Sequence, residues 1–138
     1  MGFTGPLPEH ILSKISAAER KPMGKAGVTA SEAQLVWQKG EERKLQALIK
    51  ADAERRGYYV LVPATNKKST IRPGHPDFSL WGPGGKTCCI EAKAAGGVLS
   101  QAQRECIAEL QALGVPCLVA TDLKTAIDFM REHLEPTP

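Results

Sequence analysis

The chain has 138 residues, of which 42% are hydrophobic and 24% charged, and its net charge is +3. This composition is ordinary for one globular domain, and so small a net charge does not by itself identify a partner. No apolar run approaches the roughly 20 residues of a membrane-spanning helix, and Gly and Pro interrupt residues 1–8, where a signal peptide would have its apolar core. We therefore expect a cytoplasmic protein with no membrane partner.

The first part of the chain is expected to be a partly helical N-terminal arm. Gly and Pro punctuate it, and short helices are predicted over residues 10–19 and 29–39, with Thr29 and Ser31 as candidate N-caps. We divide the chain into an arm (1–40), a main domain (41–134) and a C-terminal tail (135–138).

The main domain opens with a predicted helix over residues 41–56. Leu45, Leu48 and Ile49 form an apolar stripe at helical spacing, and Gly57 follows in a C-cap-like position.

Three strands are predicted next. Residues 58–62 are a strand that Pro63 ends, and residues 77–81 and 86–93 are two further strands. Because the turn Gly82-Pro83-Gly84-Gly85 joins the last two, we predict that they form a hairpin.

Basic residues precede this hairpin, and acidic residues dominate the end of the chain. Residues 55–76 contain five basic side chains and no acid, whereas residues 105–138 contain six acids and two bases. The basic stretch is either a solvated loop or a strip that faces phosphate groups, since Lys and Arg make most phosphate contacts. Our candidates for phosphate contacts are Lys67, Lys68 and Arg72.

A helix is predicted over residues 101–113, where Ser100 and Gln103 have the spacing of a capping box. Its buried face is marked by Cys106, Ile107, Leu110 and Leu113. Residues 115–120 are then a strand, which would lie parallel to strand 86–93 in a right-handed βαβ crossover.

A last helix is predicted over residues 123–134, capped by Thr121 or Asp122. The predicted order is helix, three strands, helix, strand, helix, which indicates an α/β fold with a mixed four-stranded sheet flanked by helices.

The four cysteines, Cys88, Cys89, Cys106 and Cys117, include no Cys-x-x-Cys pair. A zinc site completed by His75 is an alternative, but buried reduced thiols are the prediction for a cytoplasmic protein.

Strand alternation places the candidate active-site residues. Glu91 and Lys93 share one face of their strand, and the hairpin brings Asp77 to them. The opposite face of the same strand, with Cys88, Ile90 and Ala92, is apolar and is predicted to pack under helix 101–113. Two neighbouring carboxylates suit Mg²⁺ or Mn²⁺, and a lysine beside them could orient a water or neutralise charge on a phosphate. On spacing alone, the same residues could also be a solvated strand and an ordinary Pro-Asp turn.

Three segments in this order form a more specific pattern: Gly74-His75-Pro76-Asp77-Phe78, Ile90-Glu91-Ala92-Lys93, and Gly96-Gly97-Val98-Leu99-Ser100-Gln101-Ala102-Gln103. Together they resemble the virus-type replication-repair nuclease (VRR-NUC) family of the PD-(D/E)xK superfamily, over about residues 41–130. The arm is similar to the front end of stand-alone phage or prophage members. The resemblance implies a restriction-endonuclease-like fold and a bacterial or phage-infected host cell.

The resemblance also implies roles for single residues. Asp77 and Glu91 would bind Mg²⁺ or Mn²⁺, with the backbone carbonyl of Ala92 as a third ligand, and Lys93 would position or activate the attacking water. Gln103 matches a glutamine that the family carries on the helix after this strand, although the capping box alone would also explain it.

A glutamate on the first helix is a further feature of the family. Glu42 fits it best and is a candidate metal ligand, but helical periodicity does not choose between Glu42 and Glu41.

The implied activity is metal-dependent endonucleolytic cleavage of DNA, selective for branched DNA such as Holliday junctions and carried out by a homodimer. Two alternatives stay open: a nuclease that acts on flaps or plain duplex in replication, repair or restriction, and a non-catalytic DNA-binding module on the same fold.

Overall fold

The computed structural model describes residues 29–64 and 70–136, which form a four-stranded sheet with helices against its faces. In chain order the elements are α1 (Ala30–Arg55), β1 (Tyr59–Leu61), β2 (Phe78–Trp81), a short 3-10 turn (Pro83–Gly85), β3 (Thr87–Ala92), α2 (Gln101–Ala112), β4 (Cys117–Ala120) and α3 (Leu123–Leu134). This order confirms the α/β fold expected from the sequence. No helix in the described ranges combines the length and the apolar character that crossing a membrane would require.

Helix α1 is longer than predicted. It begins at a capping box, in which Thr29 Oγ1 accepts from the backbone N–H of Glu32 and the Glu32 carboxylate accepts from the backbone N–H of Thr29. The prediction of two separate helices on either side of Gly40 is wrong, because a glycine inside a helix costs only about 1 kcal/mol relative to alanine. The boundary drawn at residue 40 therefore falls inside α1. The helix predicted over 10–19 lies outside the described residues.

The sheet has the order β1-β2-β3-β4, and its register places the candidate residues. Strands β2 and β3 form the predicted antiparallel hairpin, with Phe78 opposite Ile90. Strands β3 and β4 are parallel, with Cys89 opposite Cys117. Because α2 joins these two parallel strands, the predicted βαβ crossover is confirmed.

The main core lies between one face of the sheet and the helices α1 and α3. The even-numbered residues of β3 that were predicted to pack under α2 belong instead to the cluster of Ile49 from α1 and Met130 from α3. That part of the prediction is wrong because α2 covers the opposite face of β3. Gln103 of α2 hydrogen-bonds Glu91, which alternation places on the face away from Ile90.

Two leucines assigned to buried helix faces are exposed. Leu48 on α1 and Leu113 at the end of α2 are 52% and 76% exposed. Leu48 lies beside a pocket between α1 and residues 93–95, and Leu113 is the C-cap residue of α2, just before the turn that leads into β4.

The thiols are largely buried, as predicted. Cys88, Cys89 and Cys106 are buried, Cys117 is half-buried, and all four are free cysteines. Burial raises the pKa of Cys88 to about 12 and that of Cys117 to about 11, so these thiols stay protonated at neutral pH.

Candidate active site

The two candidate carboxylates meet where β2 begins and β3 ends. Since Phe78 pairs with Ile90 in the antiparallel register, Asp77 comes to lie beside Glu91. The backbone N–H of Asp77 donates to Glu91 Oε1 at 3.2 Å, and Asp77 Oδ2 accepts from the backbone N–H of Ala92 at 2.9 Å. Each carboxylate is thus held by the backbone of the other strand, which keeps the two acids adjacent.

Glu91 is the more buried of the two acids. It is 3% exposed, and its pKa is raised to about 7, first by burial and then by the charge of Asp77. The charge of Lys93 acts in the opposite direction but does not offset these effects. A cation placed between the carboxylates would relieve both the burial of charge and the repulsion.

Lys93 points to the same side as Glu91, as strand alternation predicts. Its Nζ lies 3.7 Å from Glu91 Oε2, and its side chain is 13% exposed. The ammonium group is therefore held near the carboxylates and partly shielded from solvent, where its charge acts more strongly than on an open surface.

Gln103 makes two side-chain contacts, one to the cap of α2 and one to Glu91. Its Oε1 accepts from the backbone N–H of Ser100 at 2.8 Å, which completes the capping box of α2. Its Nε2 donates to Glu91 Oε2 at 3.0 Å. Helix α2 is thereby linked through one amide group to the buried carboxylate.

The segment that leads into Asp77 is positioned by a close backbone contact. Gly74 has φ +88°, and a Cβ at this position would overlap the backbone of Ala102 in the first turn of α2. Only glycine combines this conformation with so close an approach. Gly74 belongs to the first of the three motif segments, but only the fold shows that this glycine lets the loop pack closely against α2.

Glu42 and Glu41 both lie near the site, on different sides of it. The carboxylate of Glu42 approaches Gly97, with Oε2 3.5 Å from the place of a glycine Cβ, and its charge contributes to the raised pKa of Glu91. Glu41 lines a pocket with Lys93 and is 4.0 Å from Lys44. Of these two acids, Glu42 is the one whose negative charge raises the pKa of the buried carboxylate.

Ser79 is a site neighbour that the sequence analysis missed. It is 6% exposed, and its Oγ lies 2.7 Å from His75 Nε2. Burial lowers the pKa of His75, so this imidazole is neutral at pH 7. Alternation offered a signal, because Ser79 shares a strand face with Asp77.

The predicted phosphate contacts are placed only in part. Arg72 is on the surface, and its guanidinium pairs with Glu109 of α2 at 2.6 Å. Its side chain nevertheless remains 53% exposed. Lys67 and Lys68 lie outside the described residues.

The donor set fits a small hard cation. Among the described residues, no group of three or more His, Cys, Asp and Glu side chains is placed to hold a metal ion, so neither the zinc alternative nor direct ligation by Glu42 is supported by this arrangement. Two carboxylates are nevertheless what a site for Mg²⁺ commonly supplies, with waters completing the shell.

A backbone carbonyl extends this donor set. The N–H of Ala92 points toward Asp77, whereas those of Cys89 and Lys93 point to β4. In a strand the carbonyl of a residue points to the same side as its N–H. The carbonyl of Ala92 is therefore directed toward Asp77, consistent with a third oxygen ligand.

Comparison with known proteins gave matches to one domain family. The sequence profile of the VRR-NUC domain matches residues 29–121, which is more than half of the chain. A solved structure of a VRR-NUC domain is similar with a TM-score of 0.54 and 22% sequence identity, over 67% of this chain and 96% of the other. Comparison with curated proteins gave no match. The chain therefore belongs to the VRR-NUC domain family, and its domain is of the nuclease type.

Proposed function

We propose that this protein is a DNA endonuclease that hydrolyses phosphodiester bonds with Mg²⁺ or Mn²⁺. The observation that carries the proposal is the adjacency of Asp77 and Glu91, each hydrogen-bonded to the backbone of the other's strand, with the ammonium group of Lys93 beside them. Buried carboxylates with a raised pKa, as at Glu91, cluster at functional sites, which favours an enzyme over a non-catalytic module.

Asp77, Glu91 and the carbonyl of Ala92 would hold the metal ion, with Glu42 able to reach it through a water. When bound, such an ion polarises a phosphoryl oxygen and lowers the pKa of a water. Asp77 is half-buried at the start of β2 and presents one side of the site to solvent, so a phosphate group can approach it.

Lys93 would hold the attacking water and offset negative charge that develops on the phosphate. Its ammonium is kept in place by the 3.7 Å contact to Glu91 Oε2. Gln103 is a positioning residue, because its amide donates to the same oxygen of Glu91 and thereby orients the carboxylate.

The substrate proposed is branched DNA, such as a four-way junction, cut by a homodimer. The described residues supply one such centre per chain, so cleavage of two strands at one junction would need two copies. The proposal of branched DNA rests on the family resemblance, and a flap or duplex substrate would use the same centre.

The test is cleavage of a four-way junction, a flap and a linear duplex, each with Mg²⁺, Mn²⁺ or EDTA. We expect metal-dependent cutting that is fastest on the junction and that is lost in Asp77→Asn and in Lys93→Ala. Matched controls are Asp128→Asn and Lys124→Ala, which change the same residue types on the exposed surface of α3.

Undiminished cleavage by Asp77→Asn or Lys93→Ala would refute the site. Faster cutting of the flap or the duplex would replace the proposed substrate while leaving the centre intact. A solution mass of 14.9 kDa, that of one chain, would contradict the homodimer.

A further inference from the structure

One face of α1 carries positive charge beside the candidate active site. Arg43, Gln46 and Lys50 fall within an arc of about 60° on the helix, since successive residues advance by about 100°. Arg43 and Lys50 are exposed. Lys39 continues the same stripe one turn earlier.

Arg43 and Lys50 have no acidic partner among the described residues. Elsewhere on α1, Lys44, Arg55 and Arg56 each pair with an acid of the same helix. For Arg43 and Lys50, no described acid lies within ion-pair distance. Their charge is therefore available to an anion from outside the chain.

Arg43 and Lys50 form one wall of a groove that ends at Asp77. The groove has a volume of about 430 Å³, and Val62 and Pro63 form an apolar wall within its lining. Among the described residues that line it, the only acid is Asp77. The chain adds no acid between residues 57 and 76, so the approach to the carboxylates is positive.

The spacing of the two cations suits a phosphodiester backbone. Seven residues of helix separate them, which is about 10 Å along α1. Phosphates of one strand in duplex DNA advance by about 3.4 Å each along the helix axis while they also turn around it, so neighbouring phosphates of one strand come within reach of both side chains. The apolar wall offers a surface to the sugars and bases of the same strand.

We propose that Arg43 and Lys50 bind the phosphate backbone of the substrate strand and guide it through this groove to Asp77. The inference rests on the proposed function, because it assigns the nucleic-acid surface of that same site. It names a cationic wall on α1 that is separate from the basic residues of the loop before β2.

The experiment measures metal-free binding of a fluorescently labelled linear DNA duplex in EDTA, at KCl concentrations from about 50 to 200 mM. Each phosphate contact contributes about 0.9 to the slope of log affinity against log salt. Arg43→Gln/Lys50→Gln should therefore flatten the slope by about 1.8. Over a fourfold salt range, wild-type affinity would then fall about 12-fold further than that of the variant.

Two further double variants serve as controls for this test. Lys124→Gln/Arg131→Gln removes the same charge from exposed positions of α3 and should leave the slope unchanged. Arg43→Lys/Lys50→Arg keeps both charges and should retain the wild-type slope. Thermal unfolding of each variant shows whether it is folded.

A wild-type slope in Arg43→Gln/Lys50→Gln would overturn the inference, as would an equal loss in the α3 control or absence of DNA binding by the wild type. Cleavage with Mg²⁺ separates this failure from that of the proposed function. A wild type that binds DNA but never cuts it refutes the nuclease. A wild type that cuts, beside a folded double variant with unchanged slope and KM, refutes only the groove.

Discussion

Replacing Glu91 with glutamine should make the metal-free protein respond differently to pH. The pKa of Glu91 is raised from 4.5 to about 7 in the fold. Between these values the folded protein keeps a proton that the unfolded chain has released, so the free energy of unfolding falls as pH rises. Above pH 7 the destabilisation is complete, and Glu91→Gln is free of it because the amide carries no charge.

The magnitude follows from these two pKa values. From pH 5 to pH 8, wild-type stability should fall by about 2.5 kcal/mol through Glu91, at 1.36 kcal/mol per pKa unit. The amide keeps one acceptor oxygen and so loses one of the two hydrogen bonds that the carboxylate accepts, from the backbone of Asp77 or from Gln103, which costs about 1 kcal/mol at every pH. The variant should thus be slightly less stable than the wild type at pH 5 and more stable at pH 8.

Urea unfolding in EDTA at both pH values measures this difference directly. Glu54→Gln is the control, because that side chain is exposed on α1, and it should give the same difference at pH 5 and pH 8. Mg²⁺ at ten times its Kd should stabilise the wild type by about 1.4 kcal/mol at pH 8 and the Glu91→Gln variant far less. A difference between variant and wild type that does not change with pH would refute the reasoning.

Three further substitutions test the surroundings of the site. Gly74→Ala should destabilise the fold by about 2 kcal/mol or more, since the new Cβ meets the backbone of Ala102 in a left-handed conformation; an unchanged melting temperature would contradict the close contact. Gln103→Ala should lower kcat about tenfold, while Ser100→Ala, which removes only the cap, should cost stability alone. Equal kcat values of the two variants in steady-state kinetics would show that the amide does not position the carboxylate. Asp52→Asn should lower the free energy of unfolding by about 2 kcal/mol at pH 7, because the hydrogen bonds of two arginines more than offset the effect of burial and lower the pKa of Asp52. The difference between variant and wild type should shrink as pH falls below 4. Urea unfolding that shows no such decline would contradict this role of Asp52.

Local patterns in the chain were enough to predict much of this protein. The N-cap at Thr29, one of two candidates, the capping box at Ser100, the hairpin and the parallel crossover were all confirmed. Alternation along β3 also determined that Glu91 and Lys93 share a face. These features depend on the backbone conformation of one element or one turn, which nearby residues set.

Other features depend on which distant element covers which face, and only the tertiary structure decided them. The sequence could not tell that α1 and α3, rather than α2, pack on the apolar face of β3. It could not choose between Glu41 and Glu42, since both flank the same helical stripe, and only the fold brings the charge of Glu42 to Glu91.

The groove beside Asp77 is another feature that only the tertiary structure decided. The basic loop suggested phosphate contacts by Lys67, Lys68 and Arg72. In the fold, however, Arg72 pairs with Glu109, and Arg43 and Lys50 are the described cations at the groove. Periodicity places side chains around the axis of one element. Whether a charge meets an acid, solvent or a substrate is decided by residues far away in the chain, and these come together only when the sheet and helices pack.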